Sequence, residues 1–317
     1  MVLVSVVMLS YNQDMFLPES IESVLNQTFT DFELLIIDDC SQDSSREIID
    51  EYMRRDKRIR AFFHEKNMGI AKTVNQGFLE AKGKFVALIA SDDIWVETKL
   101  EKQLSILSDD DSLVVWSEGN IVDKEGTVVA KSFTEMHFSQ NRKKSGYLFE
   151  ELLHGNFILG SSLILRRDYL KKIRFSEELE YYSDFKFFID LSRAYSFYYI
   201  PEPLVKYRIH GRNTIFTDKL GWERDKVIFV TYLLREFDAD INYKIKADLL
   251  RMVGYAYSYL GDKTAARKAF LAAMSHNPFS MTAFESLISA LRNGEDKIAK
   301  FFTRIVFFFS QKRERYS

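Results

Sequence analysis

The sequence predicts an α/β chain: a doubly wound, mostly parallel sheet over residues 1–215, followed by an α-helical extension over residues 216–317. Three observations predict it. Short apolar runs alternate with segments of helical periodicity through the first half. Two of those runs, residues 33–37 and 85–90, stop at paired acids, Asp38-Asp39 and Asp92-Asp93. From about Thr217 the apolar period is helical throughout.

Residues 2–9 suit a first buried strand, ending at Ser10-Tyr11-Asn12-Gln13. Pro18 then sits near the start of a helix whose apolar positions are Leu17, Ile21, Val24 and Leu25. The second strand runs into Asp38-Asp39-Cys40-Ser41-Gln42-Asp43, and a helix follows to about Lys57. A third strand spans residues 59–64, Asn67-Met68-Gly69 is a turn, and residues 71–81 form a helix. The uncharged run 85–90 then suits a strand buried on both faces, as in a parallel sheet. Ligands of open α/β sheets gather at the carboxyl ends of the strands, where both acid pairs stand. Adjacent carboxylates there repel each other unless a cation or hydroxyl donors satisfy them. Asp93 also precedes the helical run 97–107, so capping could explain one acid, though it explains the pair poorly.

Composition narrows the function. A hydrophobic fraction of 46% and an aromatic fraction of 15% are ample for a core. A formal net charge of −2 gives no electrostatic case for nucleic acid. Cys40 is the only cysteine, which leaves no intrachain disulfide or cysteine zinc site and fits a reducing compartment. The start lacks the basic region of a signal peptide and no apolar run is long enough to span a bilayer, so a cytoplasmic chain is expected. Neither a Gly-x-Gly-x-x-Gly fingerprint nor a P-loop occurs. What remains is acids at strand ends, a chemistry suited to ribose or base donors and to Mg²⁺ or Mn²⁺.

Four segments carry a resemblance: Val4 to Asn12, Ile37-Asp38-Asp39-Cys40-Ser41-Gln42-Asp43, Asn67-Met68-Gly69, and Ala90-Ser91-Asp92-Asp93-Ile94-Trp95. In this order, over about ninety residues, they resemble the family 2 inverting glycosyltransferases of GT-A fold. The resemblance implies that Ser10, Tyr11, Asn12 and Asp39 hold the nucleotide base and ribose. It implies Asp92 toward the ribose and Asp93 on a divalent cation, Mn²⁺ or Mg²⁺. Asn67 and Gly69 belong to the same nucleotide-sugar site. Ala90 stands where many relatives have Asp, which shifts the metal shell toward diphosphate and water. Lys72, one residue into the helix after the turn, suits a diphosphate, since helix N-termini and cations favour anions; a solvated lysine is the equal alternative.

Further on, Gln140-Asn141-Arg142-Lys143-Lys144-Ser145-Gly146 is a polar, basic loop, either a solvated link or an acceptor-side flap. Phe185, Phe188, Ile189 and Leu191 mark a buried helix with Asp184 in its first turn. The family places a Glu-Asp pair at such a site as catalytic base; Ser183-Asp184 keeps only the Asp, so Asp184 is the expected base. In Tyr207-Arg208-Ile209-His210-Gly211, the resemblance makes His210 a third metal ligand or a phosphate donor, with a structural histidine as the alternative.

In the extension, Leu250, Val253-Gly254, Tyr257, Ala266, Phe270, Ala273 and Pro278 fall at tetratricopeptide positions, and Met281 opens a second such helix. Too few repeats for a free-standing array imply packing on other structure, self-association or a protein partner. The last helix carries Ile298, Phe301, Phe302, Ile305, Val306 and Phe309 on one stripe, a cap for the last repeat. Phe307 lies off that stripe and Lys312, Arg313 and Arg315 follow, a pattern that also suits peripheral contact with an anionic membrane. The expected activity is transfer of a sugar from a nucleotide donor, most simply UDP-linked, to a saccharide or lipid-linked saccharide in cell-surface polysaccharide synthesis. The alternative is a non-catalytic nucleotide-sugar-binding scaffold that recruits enzymes through its helical tail.

Overall fold

The computed structural model describes residues 2–137, 139, 141–213 and 218–277. The chain divides into two compact units, Met1–Thr217 and Asp218–Ser317.

In the first unit, β1 (Val4–Ser10), α1 (Leu17–Leu25), β2 (Phe32–Asp38), α2 (Ser45–Arg55), β3 (Ile59–Phe63), α3 (Ile70–Glu80) and β4 (Phe85–Ala90) alternate as the sequence predicts. β5 (Ile94–Trp95) and α4 (Lys99–Asp109) follow, then β6 (Val114–Val122), β7 (Val128–Ala130), and two single turns, α5 (Phe133–Met136) and α6 (Phe149–Leu152). A 3₁₀ turn at Gly160–Ser162 leads into β8 (Ile164–Arg166); α7 (Ser183–Ala194) and β9 (Phe197–Arg208) complete the unit.

The sheet order is β3-β2-β1-β4-β8-β6-β9-β5, with β7 pairing on β6. β3, β2, β1 and β4 run parallel, β8 is antiparallel to both neighbours, and β6 pairs parallel with β9. Register sets Ser10 beside Asp38 and Leu9 beside Ala90. The carboxyl ends of β1, β2 and β4 therefore open onto one place. Beneath it the core is dry: Val4, Val6, Met8, Leu34, Ile36 and Ala87 are fully buried. Gly77 lets α3 lie directly on β1, because a Cβ there would overlap Val7.

One expectation shifts. The helix after the acid pair starts at Lys99 with β5 between, so Asp93 caps nothing. The strand preceding His210 runs through Arg208, so Tyr207 and Arg208 are strand residues.

The second unit holds α8 (Lys219–Glu236), α9 (Tyr243–Tyr259) and α10 (Lys263–His276). Asn242 and Asp262 cap α9 and α10 through their side chains. Gly254 allows α10 to approach, since a Cβ there would meet the Phe270 ring. Ala266 and Phe270 form a small buried cluster with Tyr257 and Met274 packed against it. Pro278, the second repeat helix and the last helix with Phe302, Phe307 and its basic end lie outside the described residues. Among the described residues no helix is long and apolar enough to cross a membrane.

Candidate active site

The ends of β1 and β2 are joined by short hydrogen bonds. Asp38, buried, accepts Ser10 Oγ at 3.0 Å, Ser41 Oγ at 2.5 Å and the Ser41 N–H at 2.9 Å. Asn12 adopts a left-handed conformation, φ 52°, and its Oδ1 accepts the Gln42 N–H at 2.7 Å while its own N–H donates to Ser41 Oγ at 2.9 Å. Asp14 N–H to Asp43 Oδ2, 3.0 Å, and Gln13 N–H to Ser45 Oγ, 3.3 Å, extend this clasp. Ser10 and Asn12 are thus taken up by the loop structure, whereas Tyr11, 46% exposed, lines the adjoining cavity.

Asp39 reaches the next loop. Its carboxylate accepts the Met68 N–H at 2.7 Å and the Gly69 N–H at 2.8 Å, and lies 2.6 Å from His64 Nδ1. Gly69 has φ 85°, a left-handed geometry that suits glycine at the start of α3. Three contacts leave one of the carboxylate's four lone-pair positions open. Asn67 is exposed, and Lys72 lines a separate cleft of about 620 Å³ with His64 and Gln76.

At the end of β4 the two acids part. Asp93 is 1% exposed; its Oδ1 accepts the Arg208 N–H at 3.0 Å and its Oδ2 is paired with Ser161 Oγ. Burial, with the neighbouring Asp92 charge, holds its pKa well above the usual carboxylate range. Asp92 instead lines the cavity, its Oδ2 3.0 Å from His210 Nε2 and 3.5 Å from Asn213 Nδ2. The Arg212 N–H donates to His210 Nδ1 at 3.3 Å, which leaves the ring proton on Nε2, pointing at Asp92. Phe16 supports the imidazole from 4.6 Å.

Arg208 fastens this corner. Its Nε donates to the Asp92 carbonyl at 2.9 Å, one terminal nitrogen to the Lys124 carbonyl at 3.0 Å and the other to Glu19 at 2.6 Å.

The cavity, about 390 Å³, collects Tyr11, Ala90, Asp92, Ser161, Asp184, Tyr207, Arg212 and Asn213. Its walls include Ile70, Val74, Phe175 and Phe188. Against these apolar side chains, burial pushes the Asp184 pKa up to about 6. The Phe185 N–H, 2.6 Å away, opposes the shift only in part. A carboxylate so placed is basic enough to take a proton near neutral pH.

Asp92, Asp184 and Tyr11 thus share one cavity, His210 joins it through Asp92, and Asp93 faces the protein interior. Ser161, Arg212 and Asn213 are cavity residues to which the sequence reading gave no role; Tyr207 belongs to a Tyr-Arg-x-His motif that the resemblance places over the diphosphate. Asn213 lies three residues beyond His210, but nothing local marks Ser161. Among the described residues no three His, Cys, Asp or Glu side chains converge as a metal cage. Asp92, oriented by His210, fits a smaller demand. Mg²⁺-type ions take one or two carboxylates and complete their shell with phosphates and water.

Residues 5–174 match the family model described as glycosyl transferase family 2. The chain belongs to glycosyl transferase family 2. Within the family it is 34% identical to an uncharacterized glycosyltransferase of Methanocaldococcus jannaschii over 215 residues, 67% of this chain and 72% of the relative. It is 36% identical to TuaG of Bacillus subtilis, a glycosyltransferase assigned to teichuronic acid biosynthesis, over 41% of this chain and 51% of that one. The fold matches S. aureus TarS in complex with UDP, with TM-score 0.63 and 19% identity, covering 95% of this chain and 87% of that chain. It also matches a Pyrobaculum calidifontis mannosyltransferase in complex with GDP-Man and Mn²⁺, with TM-score 0.55 and 15% identity, covering 95% and 83%. The sheet is that of the GT-A glycosyltransferases.

Proposed function

We propose that this glycosyltransferase inverts the anomeric centre of a nucleotide-linked sugar, most simply a UDP-sugar, and that Asp184 is its base. The observation that carries the reading is one cavity holding Asp184, with a pKa pushed up to about 6, and Asp92 backed by His210. The acceptor hydroxyl bonds the anomeric carbon from the face opposite the diphosphate, and its proton passes to the Asp184 carboxylate as the carbon–diphosphate bond breaks. The open lone pair of Asp39 accepts an N–H of the base, and Tyr11 covers the nucleotide.

The two acids of β4 exchange the roles the family motif implies. Asp92, oriented by the His210 N–H, would hold the divalent cation, Mn²⁺ or Mg²⁺, while Asp93 holds the strand end through Ser161 and Arg208. The cation, when bound, offsets charge developing on the diphosphate. Arg212, lining the same cavity, adds a fixed positive group. The likeness to TuaG supports a saccharide acceptor in cell-surface polysaccharide synthesis, lipid-linked in the simplest case.

Screening nucleotide sugars for slow hydrolysis with Mn²⁺ tests the donor, and hydrolysis confined to one nucleotide class is expected. A protein that hydrolyses none, and transfers none to a saccharide acceptor, overturns the reading. Calorimetry of UDP with Mn²⁺ and with EDTA tests the cation. Affinity should fall on chelation, and equal affinity removes the cation from the scheme.

A further inference from the structure

We propose that Tyr207 touches the transferred sugar, its phenolic O–H donating to a ring or hydroxyl oxygen of the donor's hexose. The inference rests on the nucleotide-sugar reading above and adds a contact to it.

Tyr207 is the penultimate residue of β9 and lines the cavity together with Asp92 and Asp184. Alternation along the strand sends the next residue, Arg208, the other way, to Glu19 and the Asp92 carbonyl. The Tyr207 ring is held edge-on by Phe133 at 5.5 Å. The side chain is partly buried, and among the described residues no protein acceptor pairs with its hydroxyl. Tyr199, on the same strand, shows the contrast: its hydroxyl donates to Glu118 at 2.9 Å. A hydroxyl without a protein partner on the wall of a ligand cavity is free to donate to a ligand acceptor.

The charges around it fix which way that bond runs. Burial and the fields of Asp93, Asp92 and Asp184 all push the Tyr207 pKa up, so the group keeps its proton and acts as donor. Asp92 marks the diphosphate side of the cavity and Asp184 the acceptor side. The hexose of a nucleotide sugar spans that interval. Its hydroxyls and ring oxygen are acceptors of the kind a phenol recognises.

Tyr207→Phe keeps the ring against Phe133 and removes only the O–H. Calorimetry with Mn²⁺ should show unchanged affinity for UDP and about tenfold weaker affinity for the UDP-sugar that the wild type binds. kcat/KM should fall by about tenfold or more, with the acid limb of the pH profile in place. Donors lacking single hydroxyls identify the oxygen: the one that loses affinity in wild type should lose nothing further in Tyr207→Phe. A variant that binds and turns over UDP-sugars like wild type overturns the contact and leaves the proposed function standing. Equal weakening toward UDP and UDP-sugar overturns it as well, by showing a role toward the nucleotide or the fold. Wild-type protein that binds neither UDP nor any UDP-sugar overturns the contact together with the reading beneath it.

Discussion

At the end of β2 the fold holds both acids, Asp38 through Ser10 and Ser41, and Asp39 through His64 and the loop before α3. At the end of β4 the two acids part. Asp93, the second, is bound by Ser161 and the Arg208 N–H, and Asp92, the first, meets His210 and the cavity. Place within an Asp-Asp pair therefore does not decide which carboxylate is available. Nearby donors decide it. At β2 they come from the flanking βα loops; at β4 they come from the 3₁₀ turn and β9, far along the chain. At β4 the carboxylate they satisfy becomes structure, and its neighbour faces the cavity.

The largest expected effect lies on the ligand side of this division, at Asp184. Asp184→Asn should lower kcat by roughly a hundredfold to ten-thousandfold while leaving UDP affinity alone. The wild-type rate should fall through a midpoint near pH 6, since the base works only as the carboxylate. Stability runs the other way. With a folded pKa raised above the unfolded value, the native state binds the proton more tightly, and stability is lost as pH rises from the ordinary carboxylate range through about 6. Asp184→Asn should therefore melt no lower than wild type at pH 8. A rate profile flat across pH 5–8 would show that another group takes the proton.

Next comes the division at β4. Asp93→Ala strands the Ser161 hydroxyl and the Arg208 N–H and should cost about 3 kcal/mol of stability in denaturant unfolding. Asp92→Asn should unfold like wild type yet lose the Mn²⁺-dependent part of UDP affinity. Swapped outcomes would return the metal role to Asp93.

A smaller effect is expected at β2. Asp39→Asn keeps one acceptor oxygen and loses charge, and should weaken UDP about tenfold by calorimetry. Smallest is Lys72→Ala. Lying outside the cavity that holds Asp92 and Asp184, Lys72 should change UDP affinity by less than about twofold, within the range of ordinary surface substitutions. A tenfold loss there would extend the nucleotide site across α3.

Much of the fold was legible because the first four strands are apolar runs of one kind, each closed by polar loop residues. Their boundaries moved by a residue or two, and the parallel order followed from the alternation. The turn α5 was less legible, being too short to show a period. The candidate site was legible as residue types and opaque as orientations. Asp92 and Asp93 are chemically identical in the sequence, and the partner that separates them, Ser161, lies 68 residues from Asp93. Asp39 likewise spends its lone pairs on backbone N–H groups 29 and 30 residues away, donors that every sequence contains. The Tyr-Arg-x-His letters place Tyr207 near the site, but they do not carry the strand alternation that puts Tyr207 on the cavity and Arg208 behind it.

The clasp between the loops after β1 and β2 bears on tempo. Gln13, Asn12 and Asp14 are tied to Ser45, Gln42, Ser41 and Asp43 by the protein's own bonds, and these hold Asn12 in its left-handed conformation. With that wall already set, an arriving nucleotide has no loop to order there, and little entropy is lost on docking. On the proposed function, loop ordering would then add no step to nucleotide arrival, unlike sites whose loops close over their ligand.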